Sequence, residues 1–213
     1  MSLTTAESAA YALVLAAGQS HRFGGDKLLA PFHGKPLIAH VGIAIAQATA
    51  NGFLAGGVAV VRLGDTRLGW HLDTAGLELV PNPDADEGLA TSIRCGLNSL
   101  TAVGRTPPAG AALIILGDEP LLRDDAIEHL VYYWRQKGTS VRPRYAQQPD
   151  APGHPVLLDR GLWHLTNALE GDRGLSTILA SHPGSVATLD MPGKNPDVDT
   201  QDDLRALEGG GSA

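Results

Sequence analysis

The stretch Tyr11-Ala-Leu-Val-Leu-Ala-Ala-Gly-Gln-Ser-His-Arg-Phe-Gly-Gly-Asp-Lys27 decides how the rest of the chain is read. Its first part, Tyr11 to Ala16, is a short apolar block followed by glycine, as a buried parallel strand would be. Its second part spaces Gly18, Gly24 and Gly25 among polar residues, so the backbone can turn with few side-chain clashes. Free N–H groups in such a loop can surround phosphate oxygens. Arg22 and Lys27 add cationic donors, and a guanidinium suits paired phosphate contacts. The GK[ST] ending of a P-loop is missing, and so is the GxGxxG dinucleotide pattern. On position alone, an ordinary glycine-rich turn stays open as the alternative.

Working outward, strand and helix patterns alternate. Pro36 opens a periodic stretch with Leu37, Val41, Ile45 and Ala48 at helical spacing. Gly57 to Val61 and Leu77 to Val80 read as strands, and Gly88 to Leu100 as a helix. Ala111 to Leu116 is a very apolar strand, and Asp124 to Lys137 an amphipathic helix. Thr200 with Asp203 resembles a helix start. The alternation predicts an α/β fold: a three-layer α/β/α, Rossmann-like arrangement around a mainly parallel sheet. In such sheets ligands bind beyond the carboxyl ends of the strands.

Composition sets the outer bounds. The 213 residues are 43% hydrophobic and 18% charged, ordinary for a globular chain and wrong for a disordered one. Sixteen Lys and Arg against 23 Asp and Glu give a net charge of −7, which argues against broad nucleic-acid binding. One cysteine, Cys95, excludes an internal disulfide and a multi-cysteine metal site. Met1 to Ala10 lacks a basic start and a long apolar run, and no stretch approaches the ~20 apolar residues of a membrane span. The expectation is a cytoplasmic protein with no membrane partner. It comprises a single domain over residues 1–208 and a flexible tail at 209–213.

Six ordered motifs then resemble one family. Leu15-Ala-Ala-Gly-Gln-Ser-His-Arg-Phe-Gly24 with Lys27 resembles the LAAGxSxRxG–K loop of nucleotidyltransferases, closest to the MobA/MocA-like group that attaches CMP or GMP to molybdopterin. Gly88 to Leu97 is similar to its GxxxSxxxGL helix start, and Leu116-Gly-Asp-Glu-Pro120 to its metal-binding GDxP turn. Gly153-His-Pro-Val156, Gly171-Asp-Arg-Gly174 and Asp197-Val-Asp-Thr200 with Asp203-Leu204 match later blocks.

The resemblance implies Mg²⁺-dependent nucleotidyl transfer from an NTP to the terminal phosphate of molybdopterin, with pyrophosphate released. Arg22, Lys27 and Asp118 are the implied catalytic residues. Leu15, Ala16, Ala17, Gly18, Ser20, Gly24, Ser92 and Gly117 are the implied nucleotide contacts. His154, Asp172 and Arg173 are implied on the acceptor side. Asp118 would hold the metal with Asp199 or Asp197, the first being favoured. CTP is favoured over GTP because the guanylyl branch usually has Gly where Ala17 stands, and a methyl there narrows the pocket beside the base. A molybdoenzyme or its chaperone is the implied further partner.

Each residue also has a plainer reading. Asp118 can be a turn aspartate before the next helix. Asp199 or Thr200 can simply cap the last helix, and the Ser92 hydroxyl can satisfy the backbone. Arg94 reads as a solvated surface residue and Cys95 as a small buried hydrophobe. No HxH or HExxH spacing indicates zinc. The chain departs from the family at Gly171-Asp-Arg-Gly and at Glu119, where many cytidylyl members carry Gln. Three rivals follow: a cytidylyltransferase for sugar or polyol phosphates, an NAD(P)H-dependent oxidoreductase on the same fold, and a non-catalytic cofactor carrier.

Overall fold

A computed structural model describes residues 8–102, 105–150, 153–182 and 184–209. In chain order the elements are strand β1 (Ala9–Leu15), the two-residue strands β2 (Pro31–Phe32) and β3 (Lys35–Pro36), helix α1 (Leu37–Ala50), β4 (Leu54–Arg62), α2 (Gly69–Asp73) and β5 (Leu77–Asn82). There follow α3 (Leu89–Leu100), β6 (Ala109–Leu116), α4 (Asp124–Lys137), β7 (Ser140–Tyr145), β8 (Val156–Asp159), a 3₁₀ segment (Arg160–Ala168), α5 (Leu175–Ser181), β9 (Val186–Met191) and α6 (Gln201–Gly209). Gly209 ends α6; the remainder of the expected tail lies outside the described residues.

Seven strands form one sheet in the order β5-β4-β1-β6-β8-β7-β9. β1 pairs in parallel with both β4 and β6, and β4 in parallel with β5. Alternation along β1 feeds two cores. Ala10, Ala12 and Val14 face the layer of α1 and α4, while Tyr11, Leu13 and Leu15 face α3 and the 3₁₀ segment. This is the expected three-layer α/β/α arrangement. Because the chain runs outward from β1 in both directions, the topological switch point lies between β1 and β6.

The far side of the sheet departs from the simple alternation. β8 runs antiparallel to β6 and β7, whereas β9 is parallel to β7. β7, β9 and α5 carry no strong pattern of their own. Their strands are short, and β7 mixes Arg142, Pro143 and Arg144 into its run.

Candidate functional site

The site is built at the carboxyl ends of β1, β4, β5 and β6. After β1 the backbone reverses through Ser20 (φ 54°) and Gly24 (φ 76°), and the N–H groups of Phe23 and Gly24 both donate to Ser20 O. Those two are therefore spent inside the loop. The N–H groups of Gly18 to Arg22 carry no hydrogen bond among the described residues, which leaves them available to an anion. Phe23 closes the loop from below. It is buried with Phe32, Leu37 and Val198, and so docks the loop on the segment before α6.

That docking completes a charged cluster. Lys27 Nζ lies 2.5 Å from Asp118 Oδ2 and 3.4 Å from Asp199 Oδ1, and Arg22 reaches Asp199 Oδ2 at 2.8 Å. Val198 N donates to Asp118 O at 3.0 Å, fixing the two acidic segments against each other. Val198 points inward and is fully buried, so the residues on either side of it turn outward as the spacing implied. Burial raises the Asp118 pKa, with Lys27 opposing that rise and Asp197 adding to it. Its Oδ1 is buried without a partner.

The carboxylates fit a divalent metal in a limited sense. Asp118 and Asp199 converge on one cationic point, now the Lys27 ammonium, and Asp118 Oδ1 remains free. Asp197 is exposed. Among the described residues no group of three or more His, Cys, Asp or Glu is arranged for a metal.

Thr200 is the helix cap the sequence implied. Its N–H and hydroxyl both reach Asp203 Oδ2 at 2.7 Å, and Asp203 N donates back to Thr200 Oγ1 at 3.2 Å. The Thr200 side chain and backbone hold the Asp203 carboxyl below the usual range.

A cavity of about 510 Å³ opens beside the cluster, lined by Leu15, Ala17, Gly18, Ser92 and Asp118 among others. Its opposite wall is the start of α3. Asn82 Nδ2 donates to the hydroxyls of Thr91 and Ser92, both at 3.0 Å. The Ser92 oxygen is thereby pinned while its own proton stays free to donate. Gly88 precedes α3 at φ 107°, and an added Cβ would lie 2.3 Å from the Gly171 carbonyl carbon. Ala90 N bonds Gly171 O at 3.0 Å, so two motifs 80 residues apart form one wall.

Several expected contacts are placed elsewhere. Ala16 turns into the α1 side of the core, and Gly117 is a close-packed turn whose Cβ would meet Ile38 and Leu15. Ser20 borders a separate small cleft. Gly24 shapes the loop. The three acceptor-side residues are separated: Asp172 lines the 510 Å³ cavity near α3, Arg173 borders an apolar cavity beside α5, and His154 lines a third. The Gly171 to Gly174 block is a tight turn whose successive side chains diverge. Arg94 is not solvated; its guanidinium donates to Leu169 O at 2.6 Å. Cys95 is half-buried against the α3 core, and burial raises its thiol pKa.

Three residues escaped the sequence reading: Asn82, Asp86 and Asn195. Asn82 ends β5 between two prolines, a signal that was visible. Asp86 receives Gln19 and Arg62 at the cavity mouth, a contact no local pattern encodes.

The third cavity, about 270 Å³, shares Leu116 with the first. It holds Glu119, only 2% exposed, whose carboxyl is pushed well above the usual range by burial and by the charges of Asp118 and Asp197. Buried and pushed toward its neutral form, the carboxyl resembles an amide in shape and hydrogen bonding. Burial also lowers the His154 pKa, with Asp197 opposing.

A family model described as the MobA-like NTP transferase domain matches residues 12–186. The chain is 34% identical over 121 residues to a molybdenum cofactor guanylyltransferase of Rhodobacter capsulatus; the match spans 55% of each chain. The crystal structure of Rv0371c from Mycobacterium tuberculosis H37Rv superimposes with TM-score 0.76 at 25% identity, covering 95% of this chain and 99% of that one. Its homologue from Mycobacterium sp. strain JC1 gives 0.77 at 25% identity, covering 98% of both.

Proposed function

The chain belongs to the MobA-like NTP transferase family, and from that premise we propose that it transfers a nucleotidyl group from an NTP to the terminal phosphate of a molybdopterin-type acceptor. The observation that carries the reading is the Lys27, Asp118, Asp199 and Arg22 cluster beneath a loop with free N–H groups, at the switch point of the sheet.

The acceptor phosphate is largely dianionic at neutral pH, so its oxygen needs no protein base. It attacks the α-phosphorus, and pyrophosphate leaves. The N–H groups of Gly18 to Arg22 hold the departing phosphates while Lys27 and Arg22 offset the charge that grows on them. Asp118 and Asp199 would hold Mg²⁺, which supplies charge neutralisation across the phosphates when bound. Asp118 keeps Lys27 aligned through Oδ2 with Oδ1 spare. Ser92 donates toward the base, and the Ala17 methyl narrows the pocket beside it.

That narrowing supports CTP. A second reading, GTP, rests on the guanylyltransferase name of the 34% identical relative. Incubation with Mg²⁺, molybdopterin and each NTP in turn separates them by pyrophosphate release. Release with CTP alone is expected. Release with GTP alone overturns the nucleotide choice, and no release with any NTP overturns the transfer reading. Release with CTP but with a sugar phosphate in place of molybdopterin overturns the acceptor.

No helix among the described residues is long and apolar enough to cross a membrane. We place the chain in the cytoplasm as one domain over residues 1–208, handing its product to a molybdoenzyme or its chaperone.

A further inference from the structure

Asn195 lies outside the family motifs, yet it is buried and held by three hydrogen bonds. It is 6% exposed and lines the 270 Å³ cavity. Its backbone N–H donates to Gln148 Oε1 at 2.9 Å. Its side-chain Nδ2 donates to Glu119 Oε2 at 3.1 Å and to His154 O at 3.4 Å. The His154 carbonyl can only accept, so it fixes the amide's orientation: a flipped amide would set oxygen against oxygen there. Oδ1 is therefore a fixed acceptor, and it is buried with no partner among the described residues. His154 Nδ1, also on this cavity, is buried and unpartnered as well.

A buried unpaired acceptor costs stability unless something meets it. The Asn195 oxygen calls for a ligand N–H, and the His154 ring nitrogen on the same cavity offers a second polar contact, as donor or acceptor according to its tautomer. The charge pattern narrows the class further. Glu119 and Asp197 border the cavity and no Lys or Arg does, so it disfavours a phosphate. At about 270 Å³ it lies just under the ~300 Å³ lower end of ligand pockets, room for one small ring system. Leu116 lines both this cavity and the nucleotide cavity, so a ligand seated here lies next to the site that holds Asp118.

We propose that Asn195 is a specificity-determining residue for the acceptor: its Oδ1 accepts from an N–H of the acceptor's nitrogen heterocycle, seated in this cavity with the acceptor's phosphate pointing to the nucleotide. Glu119 is a positioning residue, acting only by holding Asn195 Nδ2. This inference rests on the proposed transfer to a molybdopterin-type acceptor. It sharpens that reading by assigning heterocycle and phosphate to different cavities.

The test measures steady-state pyrophosphate release by the full chain and, separately, equilibrium binding of a soluble pterin that carries no phosphate. Asn195→Ala is expected to raise the KM for molybdopterin about tenfold or more, with kcat at saturation and the KM for CTP unchanged. Glu119→Gln keeps an acceptor for Nδ2 and should leave the acceptor KM within about twofold, whereas Glu119→Leu should raise it as Asn195→Ala does. Ser176→Leu narrows the same cavity from an exposed position, without touching the buried hydrogen bonds. It keeps the test decisive where Asn195→Ala fails to fold, and it too should raise the acceptor KM. An unchanged acceptor KM in folded Asn195→Ala, or in Ser176→Leu where Asn195→Ala does not fold, overturns the inference while leaving nucleotidyl transfer standing. Should the wild type release no pyrophosphate, the transfer reading falls, yet the pterin titration still decides the cavity. Binding that is lost in Asn195→Ala supports the inference, and absence of binding by the wild type overturns it.

Discussion

Two cavities meet at Leu116, and they are built on opposite principles. On one side, Lys27 and Arg22 stand among Asp118 and Asp199, a cluster whose charges compensate one another. On the other, buried Glu119 and Asn195 stand with half-buried His154, with both titratable groups shifted toward neutrality and two polar atoms, Asn195 Oδ1 and His154 Nδ1, left unpartnered among the described residues. The difference teaches how one short stretch, Leu116 to Glu119, can serve two tasks. Burial works against the charge of both, but Asp118 turns toward Lys27, which opposes that effect, whereas Glu119, one residue on, turns into the interior with no cation beside it among the described residues. Alternation of side chains about a strand end sets the two chemistries on adjoining walls.

The largest effect should come from the charged side. Lys27→Ala removes the ammonium that touches both carboxylates and should lower kcat by about 10²–10³-fold with the fold intact by circular dichroism. Near-normal turnover would remove Lys27 from the mechanism and dissolve the contrast between the cavities.

Gly153→Ala probes the neutral side. An added Cβ would lie 1.6 Å from Pro143 O, so the backbone carrying His154 must move. The expected cost is about 1–3 kcal/mol, seen as a melting point lower by about 3–10 °C. The acceptor KM should rise while the KM for CTP holds. An unchanged melting point would show that this segment yields freely and does not fix the cavity.

Thr200→Ala removes the cap of α6, behind the charged cluster. A loss of about 1 kcal/mol is expected in denaturant unfolding, with little change in turnover because Asp199 stays docked through Val198. A loss of turnover matching the Lys27 variant would mean that the cap itself holds the site.

The smallest effect is at Ala17→Gly. Deleting one methyl beside the base should move the ratio of CTP to GTP use by about tenfold or less. No movement in competition assays would take Ala17 out of nucleotide choice and leave selection to the α3 wall.

Much of this was readable before any fold was known. β6 and α4 were legible because apolar runs and helical periodicity are local, and α4 spans the expected Asp124 to Lys137. The Thr200 cap was legible for the same reason: both partners lie within one turn. The tight loop after β1 announced itself by glycine spacing. Other parts were illegible. β7 and β9 are short and mixed in character, and they pair with each other across 46 positions. Arg94 looked like a surface residue because its partner, Leu169 O, lies 75 positions away.

The same division runs through the candidate site. By itself the sequence determined the residue types: a glycine loop with two cations, an aspartate at the end of an apolar strand, a second acidic block, and the α/β alternation that puts them at one edge. Those features depend on composition and near-neighbour spacing. The tertiary structure decided which of them meet. It brought Asp199 to Lys27 across 172 positions, separated His154, Asp172 and Arg173 into different cavities, and buried Glu119 beside Asn195. The physical reason is that burial and long-range pairing depend on how layers pack. A carboxylate's protonation and an amide's orientation follow from what surrounds them, which the local sequence does not contain.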